Sequence, residues 1–410
     1  MTSNTVAQRV IEGDVADTPA QKGIVLDGFA GPGGWSEGIR RYLGLHDVGL
    51  EWDDAACRTR AAAGHTTIRV DVSAFILAPL IGRVWGLIMS PPCTKLSMAG
   101  KGIGRRYLDL LADGIRRMMR GVDCRQEVRD AIYPGALAAQ QEAEESRPAA
   151  RKWGREKVEA AAREDAFVTT LMLEPARFLY ALITGDTSNG QPLEWAVFEQ
   201  VPAALWLWKV YADELRSRGW HAAAGILNAA DYGAGQSRER AILIASAVRQ
   251  VQLPEPTHGE LHGEDLFGRT VLPQVTMAQA LGWGYTQRPA PTVTSGGADT
   301  GGAEHFGNGT RKAMRAAMGD PRHWAWKRPA PTVSGTVGHV GGKQANGHLN
   351  LECEEAAVLQ TFGRNYPFQG TKGQRSKQIG NAVPPLLAAH AASAATGVPV
   401  AAVALAALAA

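Results

Sequence analysis

The stretch Gly23-Ile24-Val25-Leu26-Asp27-Gly28-Phe29-Ala30-Gly31-Pro32-Gly33-Gly34-Trp35-Ser36 decides the fold of this chain. Residues 23–27 form an apolar segment of strand length, a glycine-rich turn follows, and residues 36–43 have the spacing of an amphipathic helix. This order predicts the first unit of a nucleotide-binding α/β sheet, because glycines let a backbone approach its ligand closely. The spacing matches neither Gly-x-Gly-x-x-Gly nor a P-loop, so a turn that binds no ligand stays the alternative.

Acidic residues follow the next two predicted strands. Residues 47–50 are followed by Glu51 and Trp52, and residues 67–70 are followed by Asp71. An acid after the second strand suits the hydroxyls of a ribose, and an indole ring suits the face of an adenine. Ordinary surface acids at the starts of loops are the alternative for each position.

A cysteine follows the fourth predicted strand. Residues 86–89 end at Ser90-Pro91-Pro92-Cys93, and proline both lacks an N–H and fixes its own φ. The two prolines therefore predict a stiff turn that positions Cys93 at the carboxyl end of a strand, where open α/β sheets place their chemistry. Residues 94–104 contain the glycines that a closing loop requires. A buried Cys at an ordinary strand–loop junction is the alternative.

Two further polar blocks flank predicted strands in the second half of the chain. Residues 195–198 are followed by Glu199 beside a proline, which repeats the arrangement at Cys93. The block Gln236-Ser237-Arg238-Glu239-Arg240 leads into a strand over residues 241–245, and alternation places its Gln and two Arg on one side. Two guanidiniums on one face favour a site for an anion or a base edge, or a paired structural cluster.

The regions outside these strands differ in character. Residues 105–165 mix charges at helical spacing, which predicts two or three exposed inserted helices. Five arginines there form a denser basic cluster for which a solvated face and contact with a phosphate backbone are the alternatives: Arg105, Arg106, Arg116, Arg117 and Arg120. Residues 247–346 lose the β/α rhythm and contain Arg-Pro-Ala-Pro-Thr-Val twice, at residues 288–293 and 328–333. They predict a smaller, irregular, β-rich domain.

Helices are also predicted over residues 166–182, 205–218 and 349–362, and from residue 378 onward. The predicted organisation is a loose arm at 1–22, a catalytic domain at 23–246 with the insertion at 105–165, the small domain at 247–346, a return to the catalytic domain at 347–396, and an alanine-rich tail at 397–410.

Composition indicates a soluble globular protein, with 45% hydrophobic and 20% charged residues. The formal charge of +3 means that a nucleic-acid footprint must come from local basic patches. Four widely spaced cysteines indicate reduced thiols. The N-terminus lacks the pattern of a signal peptide, and the last apolar run is too short to span a bilayer. We expect a cytoplasmic protein that does not associate with a membrane.

Five blocks together resemble the DNA (cytosine-5) methyltransferases. In chain order they are Asp27-Gly28-Phe29-Ala30-Gly31-Pro32-Gly33-Gly34, Pro91-Pro92-Cys93, Glu199-Gln200-Val201, Gln236-Ser237-Arg238-Glu239-Arg240 and Gly380-Asn381-Ala382-Val383-Pro384-Pro385. The resemblance covers about residues 23–100, 166–246 and 345–395. It implies a Rossmann-like methyltransferase fold with a mostly parallel sheet and a small target-recognition domain.

The resemblance implies S-adenosylmethionine at the first three strand tips. Phe29 and Gly31 would line it, Glu51 would hold its ribose, and Trp52 and Asp71 would meet its adenine. The full set of implied cofactor residues, with no metal, is Asp27, Phe29, Gly31, Gly33, Gly34, Glu51, Trp52, Asp71, Pro91 and Asn381.

The resemblance also implies the chemistry. Attack by the Cys93 thiolate at cytosine C6 makes C5 nucleophilic toward a methyl sulfonium. Glu199 would stabilise the charge at N3, Arg240 would hold O2, and Arg238 would meet a phosphate or an acid. The cytosine would be flipped out of double-stranded DNA, by an enzyme that we expect to be monomeric.

The chain departs from the family pattern at three places. Gln200 stands where the family usually has Asn, Met89-Ser90 where it has Gly-Gly, and Thr94 where it has Gln. Ser90-Pro91-Pro92 also looks like the block of the amino-methyltransferases, which act on cytosine N4 or adenine N6, but an aromatic residue follows there. That enzyme class, and a DNA-binding relative without catalysis, are the alternatives. Residues 247–346, with Arg288, Arg311 and Arg328, are the candidates for sequence recognition.

Overall fold

The computed structural model describes residues 21–92, 107–148, 151–188, 190–264, 268, 270–282, 324–330, 332–333, 339–340 and 349–401. Several predictions concern residues outside these ranges. They are Cys93, Thr94 and the loop that follows, Arg105, Arg106, Arg288, Arg311, the first copy of the repeated hexapeptide, and most of the N-terminal arm and C-terminal tail.

A seven-stranded sheet in the order β3-β2-β1-β4-β5-β7-β6 forms the centre of the fold. Its strands are β1 (Ile24–Gly28), β2 (Asp47–Glu51), β3 (Thr66–Arg69), β4 (Val84–Met89), β5 (Trp195–Gln200), β6 (His221–Asn228) and β7 (Glu239–Ser246). Only β7 runs antiparallel to its neighbours. The predicted α/β class with a mostly parallel sheet is confirmed.

The order of the strands places a crevice between β1 and β4. The chain leaves β1 outward to β2 and β3, then returns to β4 on the other side of β1, where Gly28 pairs with Met89. In open α/β sheets ligands bind beyond the carboxyl ends of strands at such a reversal. The glycine-rich turn after β1 and the Pro-Pro turn after β4 therefore flank one crevice.

Eleven α-helices occur in the described residues. They are α1 (Gly34–Leu43), α2 (Asp54–Ala62), α3 (Leu108–Met118), α4 (Arg125–Glu145), α5 (Arg155–Thr170), α6 (Glu174–Thr184), α7 (Leu205–Arg216), α8 (Met277–Leu281), α9 (Cys353–Leu359), α10 (Lys372–Asn381) and α11 (Pro385–Thr396). Three helices, α3, α4 and α5, lie in the predicted insertion, but α3 is not the exposed helix that we expected, because it buries Leu111 and Ile115 in the core.

Three predicted helices have different bounds. The helix over residues 166–182 is interrupted by a 3-10 turn at Leu171–Leu173, because Pro175 at the second position of α6 has no N–H to continue the preceding helix. Residues 349–362 begin with a short strand before α9, and residues 378–381 close α10 instead of opening the last helix. Strand β6 was not predicted, since its alanine-rich sequence has low β-propensity.

Hydrophobic residues cover both faces of the sheet. Alternation along β1 directs Leu26 into one core cluster and Val25 into the other. The first cluster includes α3, α6 and α7; the second includes α1 and α11, so the C-terminal segment completes the face that α1 begins. A third cluster joins α8, Ala330 and Val333 to α9 and α10.

The region beyond β7 contains short strands in its described parts. β8 (His258–Gly259), β9 (Gly263–Glu264) and β10 (Thr270–Pro273) form a small sheet, and β11 (His339–Val340) pairs with β12 (Leu349–Asn350). One helical run, Arg155–Thr184, has the length and composition of a membrane span, and 67% of its most apolar window is buried inside the protein, as in a core helix.

Candidate active site

Ser90 connects the turn after β4 to the elements around it. Its backbone N–H donates to Gly28 O at 3.2 Å, and its hydroxyl accepts from Trp35 Nε1 at 2.9 Å. The same hydroxyl hydrogen bonds to the carboxylate of Glu199. The serine that replaces the usual glycine thus ties β1, α1 and β5 to the turn that leads to Cys93.

Glu199 lies buried at the carboxyl end of β5. Arg240 Nε donates to Glu199 Oε1 at 2.8 Å, and the Arg240 side chain is 13% exposed. Burial raises the pKa of Glu199, and the nearby charges of Arg240 and Arg238 oppose that rise. The net effect makes this carboxyl easier to protonate than an ordinary glutamate, although it has a guanidinium beside it.

Gln200 fastens the Pro-Pro turn to β5. Its Nε2 donates to Pro91 O at 2.6 Å, and its Oε1 accepts from Val201 N at 2.6 Å. Gln200 and Pro91 are both buried. The longer amide that departs from the family pattern therefore reaches the residue two positions before Cys93.

Gln236 and Arg238 face buried backbone instead of the crevice. Gln236 Nε2 donates to Leu359 O at 2.9 Å, and its Oε1 accepts from Val333 N at 2.9 Å. Arg238 donates to Val333 O, Gly380 O and Ala382 O at 2.8–3.1 Å and is 1% exposed. We expected Arg238 to meet a phosphate or an acid; the structure places its guanidinium against these three carbonyls.

The second copy of the repeated hexapeptide joins this cluster. Ser237 N donates to Ala330 O at 2.6 Å, Ala330 N donates to Gly235 O at 2.7 Å, and Thr332 Oγ1 donates to Ser237 O at 2.8 Å. Residues 328–330 and 332–333 therefore lie along the approach to β7. Arg328, a candidate for sequence recognition, is in this segment, and its carbonyl accepts from Met277 N at 3.2 Å.

A cradle lies at the tips of β1 and β2. Gly31 N donates to Glu51 Oε2 at 2.7 Å, and Glu51 Oε1 accepts from the N–H groups of Trp52 and Asp53 at 2.8 Å. Phe29 and Gly31 have φ values of +62° and +54°, and a Cβ on Gly31 would meet no atom within 4 Å. The turn thus keeps an open space directly beside the buried carboxylate of Glu51.

Two other predicted cofactor residues, Trp52 and Asp71, follow the carboxyl ends of β2 and β3. Trp52 is 64% exposed, so one indole face is available for stacking. Asp71 Oδ1 accepts from Ser73 N at 2.9 Å and from Ser73 Oγ at 2.8 Å, which caps the 3-10 turn after β3. Its carboxylate is partly committed to that local turn.

Four more predicted cofactor residues lie in packed positions or at the end of a helix. Gly33 and Gly34 have Tyr366 and Val383 respectively where a Cβ would go, and Asn381 is exposed at the end of α10. Asp27 is fully buried, and burial together with nearby Asp47 raises its pKa well above the usual value.

Arg60 is a residue of this buried cluster that sequence reasoning missed. Its guanidinium donates to Asp47 Oδ2 at 2.9 Å and to Ser36 Oγ at 2.7 Å, and it lies 4.0 Å from Asp27. No spacing in the sequence links these residues, because they come from four different elements. No cluster of three or more metal-ligating side chains occurs among the described residues.

Comparison with known proteins adds to this geometry. Residues 205–396 match the family model described as C-5 cytosine-specific DNA methylase, which covers α7 to α11 and therefore Gln236, Arg238 and Arg240. The Type II methyltransferase M1.HphI of Haemophilus parahaemolyticus is 27% identical over 189 residues, 43% of this chain and 48% of its own. The Type II methyltransferase M.BsuRI of Bacillus subtilis is 29% identical over 259 residues, 54% of each chain.

The chain spans about half the length of these curated relatives. Among solved structures, the Entamoeba histolytica methyltransferase EhMeth superposes with a TM-score of 0.50 at 11% identity, covering 91% of this chain and 97% of that one. This likeness shows a shared methyltransferase fold. The match to the C-5 cytosine-specific DNA methylases therefore lies in residues 205–396, just under half of the chain, and the two Type II methyltransferases are similar to it over about half of its length.

Proposed function

We propose that this protein transfers a methyl group from S-adenosylmethionine to C5 of a cytosine flipped out of double-stranded DNA, with Cys93 as the covalent nucleophile. The observation that carries the proposal is the pairing of two groups at one sheet edge. Glu199, buried and paired with Arg240, adjoins Gln200, which holds Pro91. The residue that would stabilise the ring and the turn that leads to the thiol are therefore parts of one hydrogen-bonded unit.

Cys93 would form a bond from sulfur to cytosine C6, and the electrons displaced from the C5–C6 double bond make C5 nucleophilic. After methylation, loss of the C5 proton restores the double bond and releases the thiolate. The raised pKa of Glu199 supports a second role, because a protonated carboxyl can donate a hydrogen bond to N3 as negative charge builds on the ring. Arg240, held by Glu199, would meet O2.

The residues around the first two strand tips fit S-adenosylmethionine. When bound, this cofactor supplies a methyl group on a sulfonium. The open space at Gly31 accommodates a ligand that approaches the backbone, and the Glu51 carboxylate beside it suits a pair of ribose hydroxyls. The exposed indole of Trp52 suits an adenine face. Asp71, Asp27, Gly33, Gly34, Pro91 and Asn381 belong to the same proposed region, with Asp27 and the two glycines shaping it from within the protein.

The alternative enzyme class is an amino-methyltransferase. Ser90-Pro91-Pro92 agrees with that class as well, but amino methylation needs neither a thiol after the prolines nor a buried glutamate paired with arginine. The bonds of Ser90 to Trp35 and Glu199 give this serine a positioning role. We therefore favour carbon methylation. A bacterial or phage restriction-modification setting, a cytoplasmic location and a monomeric state complete the proposal.

The experiment that tests the proposed function identifies the methylated base. DNA of mixed sequence is incubated with the protein and S-adenosylmethionine, digested to nucleosides and analysed by mass spectrometry. We expect 5-methyldeoxycytidine, and none from the Cys93→Ser variant. N4-methyldeoxycytidine or N6-methyldeoxyadenosine would instead assign the protein to the amino-methyltransferases.

A further inference from the structure

The inserted helices end in a surface that the proposed chemistry does not use. α4 and α5 pack against each other as a hairpin, and we call residues 144–148 and 151–157 the hairpin tip. Residues 144–157 contain five Arg or Lys residues against three Glu residues. This region lies outside residues 205–396, which the family model matches.

The hairpin extends beyond the sheet edge that carries the candidate site. α3 ends beside Arg218, whose Nη2 donates to Met119 O at 2.5 Å. Arg218 follows α7, which begins after the carboxyl end of β5 and therefore finishes at the opposite edge of the sheet. The other end of α3, at Tyr107, thus lies toward the carboxyl edge.

α4 runs antiparallel to α3 and extends beyond the end of α3 at Tyr107. Near its start, Cys124 Sγ contacts the Gly114 carbonyl in the middle of α3, whereas Gly135 packs against the Tyr107 ring. The ten residues from Gly135 to Glu145 add about 15 Å of helix beyond Tyr107. The hairpin tip therefore projects past the edge at which a flipped cytosine would meet Glu199.

A set of local bonds gives the hairpin tip a defined shape. Arg147 pairs with Glu144 at 2.7 Å, and the same carboxylate accepts from the backbone N–H of Trp153. The Arg147 guanidinium carbon is 3.4 Å from the centroid of the Trp153 ring, and Lys157 Nζ is 4.6 Å from it. Stacking of two cations on one indole orders this segment and holds their positive charges together.

Three cations of the hairpin tip remain available to a partner. Arg151 and Lys152 are exposed, Lys157 is exposed although its ammonium lies over the Trp153 ring, and none of the three has a carboxylate partner within the described part of the chain. Two members of the basic cluster predicted near α3 differ, because Arg117 pairs with Glu127 at 2.6 Å and Arg120 lies 3.7 Å from Glu214, whereas Arg116 is exposed like the cations of the hairpin tip. An arginine that is already paired with a carboxylate binds a phosphate weakly. A cation without such a partner gains affinity for DNA, because its binding releases counterions from the phosphates.

We propose that the hairpin tip binds the phosphate backbone of the duplex beside the methylation site, an inference that rests on the proposed function. Its unpaired positive charge complements DNA, and its reach places that charge on the DNA side of the sheet. Such contacts would add affinity for every sequence, because phosphates carry no sequence information directly.

The test removes the three unpaired cations together: Arg151→Gln, Lys152→Gln and Lys157→Gln. The matched control removes three exposed cations that lie away from the hairpin tip and have no carboxylate partner among the described residues: Arg83→Gln, Lys209→Gln and Arg249→Gln. Affinity for an unmethylated duplex of mixed sequence is measured by fluorescence anisotropy as salt is raised. Affinity for S-adenosylhomocysteine and the thermal midpoint show that each variant is folded.

Three lost phosphate contacts reduce the slope of log affinity against log salt by about 2.7, so wild type should lose about 40-fold more affinity than the tip variant over a fourfold rise in salt. The control variant should keep the wild-type slope. A charge-preserving variant, Arg151→Lys with Lys152→Arg and Lys157→Arg, should restore it.

A tip variant with the wild-type slope, or a control variant that loses as much slope as the tip variant, overturns the proposal. If wild type methylates DNA in these preparations, such a result leaves the proposed function intact. If wild type neither binds nor methylates DNA, both proposals fail, and an acidic protein becomes the partner to seek for the hairpin tip.

Discussion

Replacing Gln200 with alanine tests whether the bond between β5 and the Pro-Pro turn positions the catalytic groups. In the folded protein the Gln200 amide donates to Pro91 O and accepts from Val201 N, both at 2.6 Å. Gln200→Ala removes both bonds and leaves a buried carbonyl and a half-buried N–H without these partners. Glu199 and Arg240 are not altered by the substitution, nor is the Gly31–Glu51 cradle.

Two effects of different size follow. Each backbone group left without a hydrogen-bond partner costs about 1–3 kcal/mol. Because Val201 is only partly buried, the lower part of the summed cost applies, and the free energy of unfolding should fall by about 2–4 kcal/mol. If the turn then shifts by about 1 Å, turnover should fall about 100-fold. Affinity for S-adenosylhomocysteine should change little, because the cradle is formed by β1 and β2.

The assay combines single-turnover methylation of saturating DNA with urea unfolding and calorimetric titration of S-adenosylhomocysteine. Gln191→Ala is the matched control, since Gln191 also donates to a proline carbonyl, Pro192 O at 3.0 Å, but before β5 at the opposite edge of the sheet. Gln191→Ala should lower the free energy of unfolding by less than Gln200→Ala does and should keep full turnover. Gln200→Asn restores the residue usual in the family and should lie between Gln200→Ala and wild type.

Normal single-turnover rates in Gln200→Ala, with the loss of stability as expected, would refute the positioning role and leave Gln200 as a packing residue. Loss of cofactor affinity along with turnover would also contradict the account, because it would mean that the substitution disturbs the cradle.

Three more predictions concern the cofactor, the proton and the target. Glu51→Ala should weaken binding of S-adenosylhomocysteine by about 1–3 kcal/mol in calorimetry, and unchanged affinity would contradict the cofactor assignment. Burial raises the pKa of Glu199, so its protonated form is lost only as the pH rises through that raised value. Single-turnover rates should therefore decline on the alkaline side. Glu199→Gln should be slower than wild type, and it should lack this decline because its amide cannot ionise. If Glu199→Gln shows the same decline, the titration belongs to another group. Exchanging residues 247–346 for those of a relative with a known target should transfer that target, as read by sequencing methylated sites; a hybrid that methylates its original sites would move recognition elsewhere.

Sequence patterns were sufficient for the strand tips but not for the partners of polar residues. Apolar runs ended by glycine, proline or acid located β1, β2, β4 and β5 within two residues, because buried strands leave a strong local pattern. Alternation predicted that Gln236, Arg238 and Arg240 share one side, and in the structure Arg240 is the one that pairs with Glu199. It did not place Gln236 and Arg238, since both precede the first residue of β7. Their partners lie more than 90 residues away along the chain.

The burial of charged side chains also could not be predicted from the sequence. Arg60 lies on α2 with the sequence surroundings of an exposed arginine, yet it is fully buried between Asp27 and Asp47. Charged residues are rarely buried without partners, and partners from other elements cannot be inferred from spacing. The stacking of Arg147 and Lys157 on Trp153 was missed for a similar reason, because it depends on how α4 and α5 meet.

The most direct test of carbon methylation is covalent trapping on DNA in which every cytosine is replaced by 5-fluorocytosine. Fluorine at C5 cannot leave as a proton does, so the bond between sulfur and C6 persists after methyl transfer. Full replacement presents the target whatever its sequence. With S-adenosylmethionine, we predict a complex that survives denaturing electrophoresis and whose peptide map carries the adduct on Cys93, and no complex for Cys93→Ser. Methylation of ordinary DNA by a Cys93→Ser variant, or active wild-type protein that forms no adduct, would contradict the covalent mechanism.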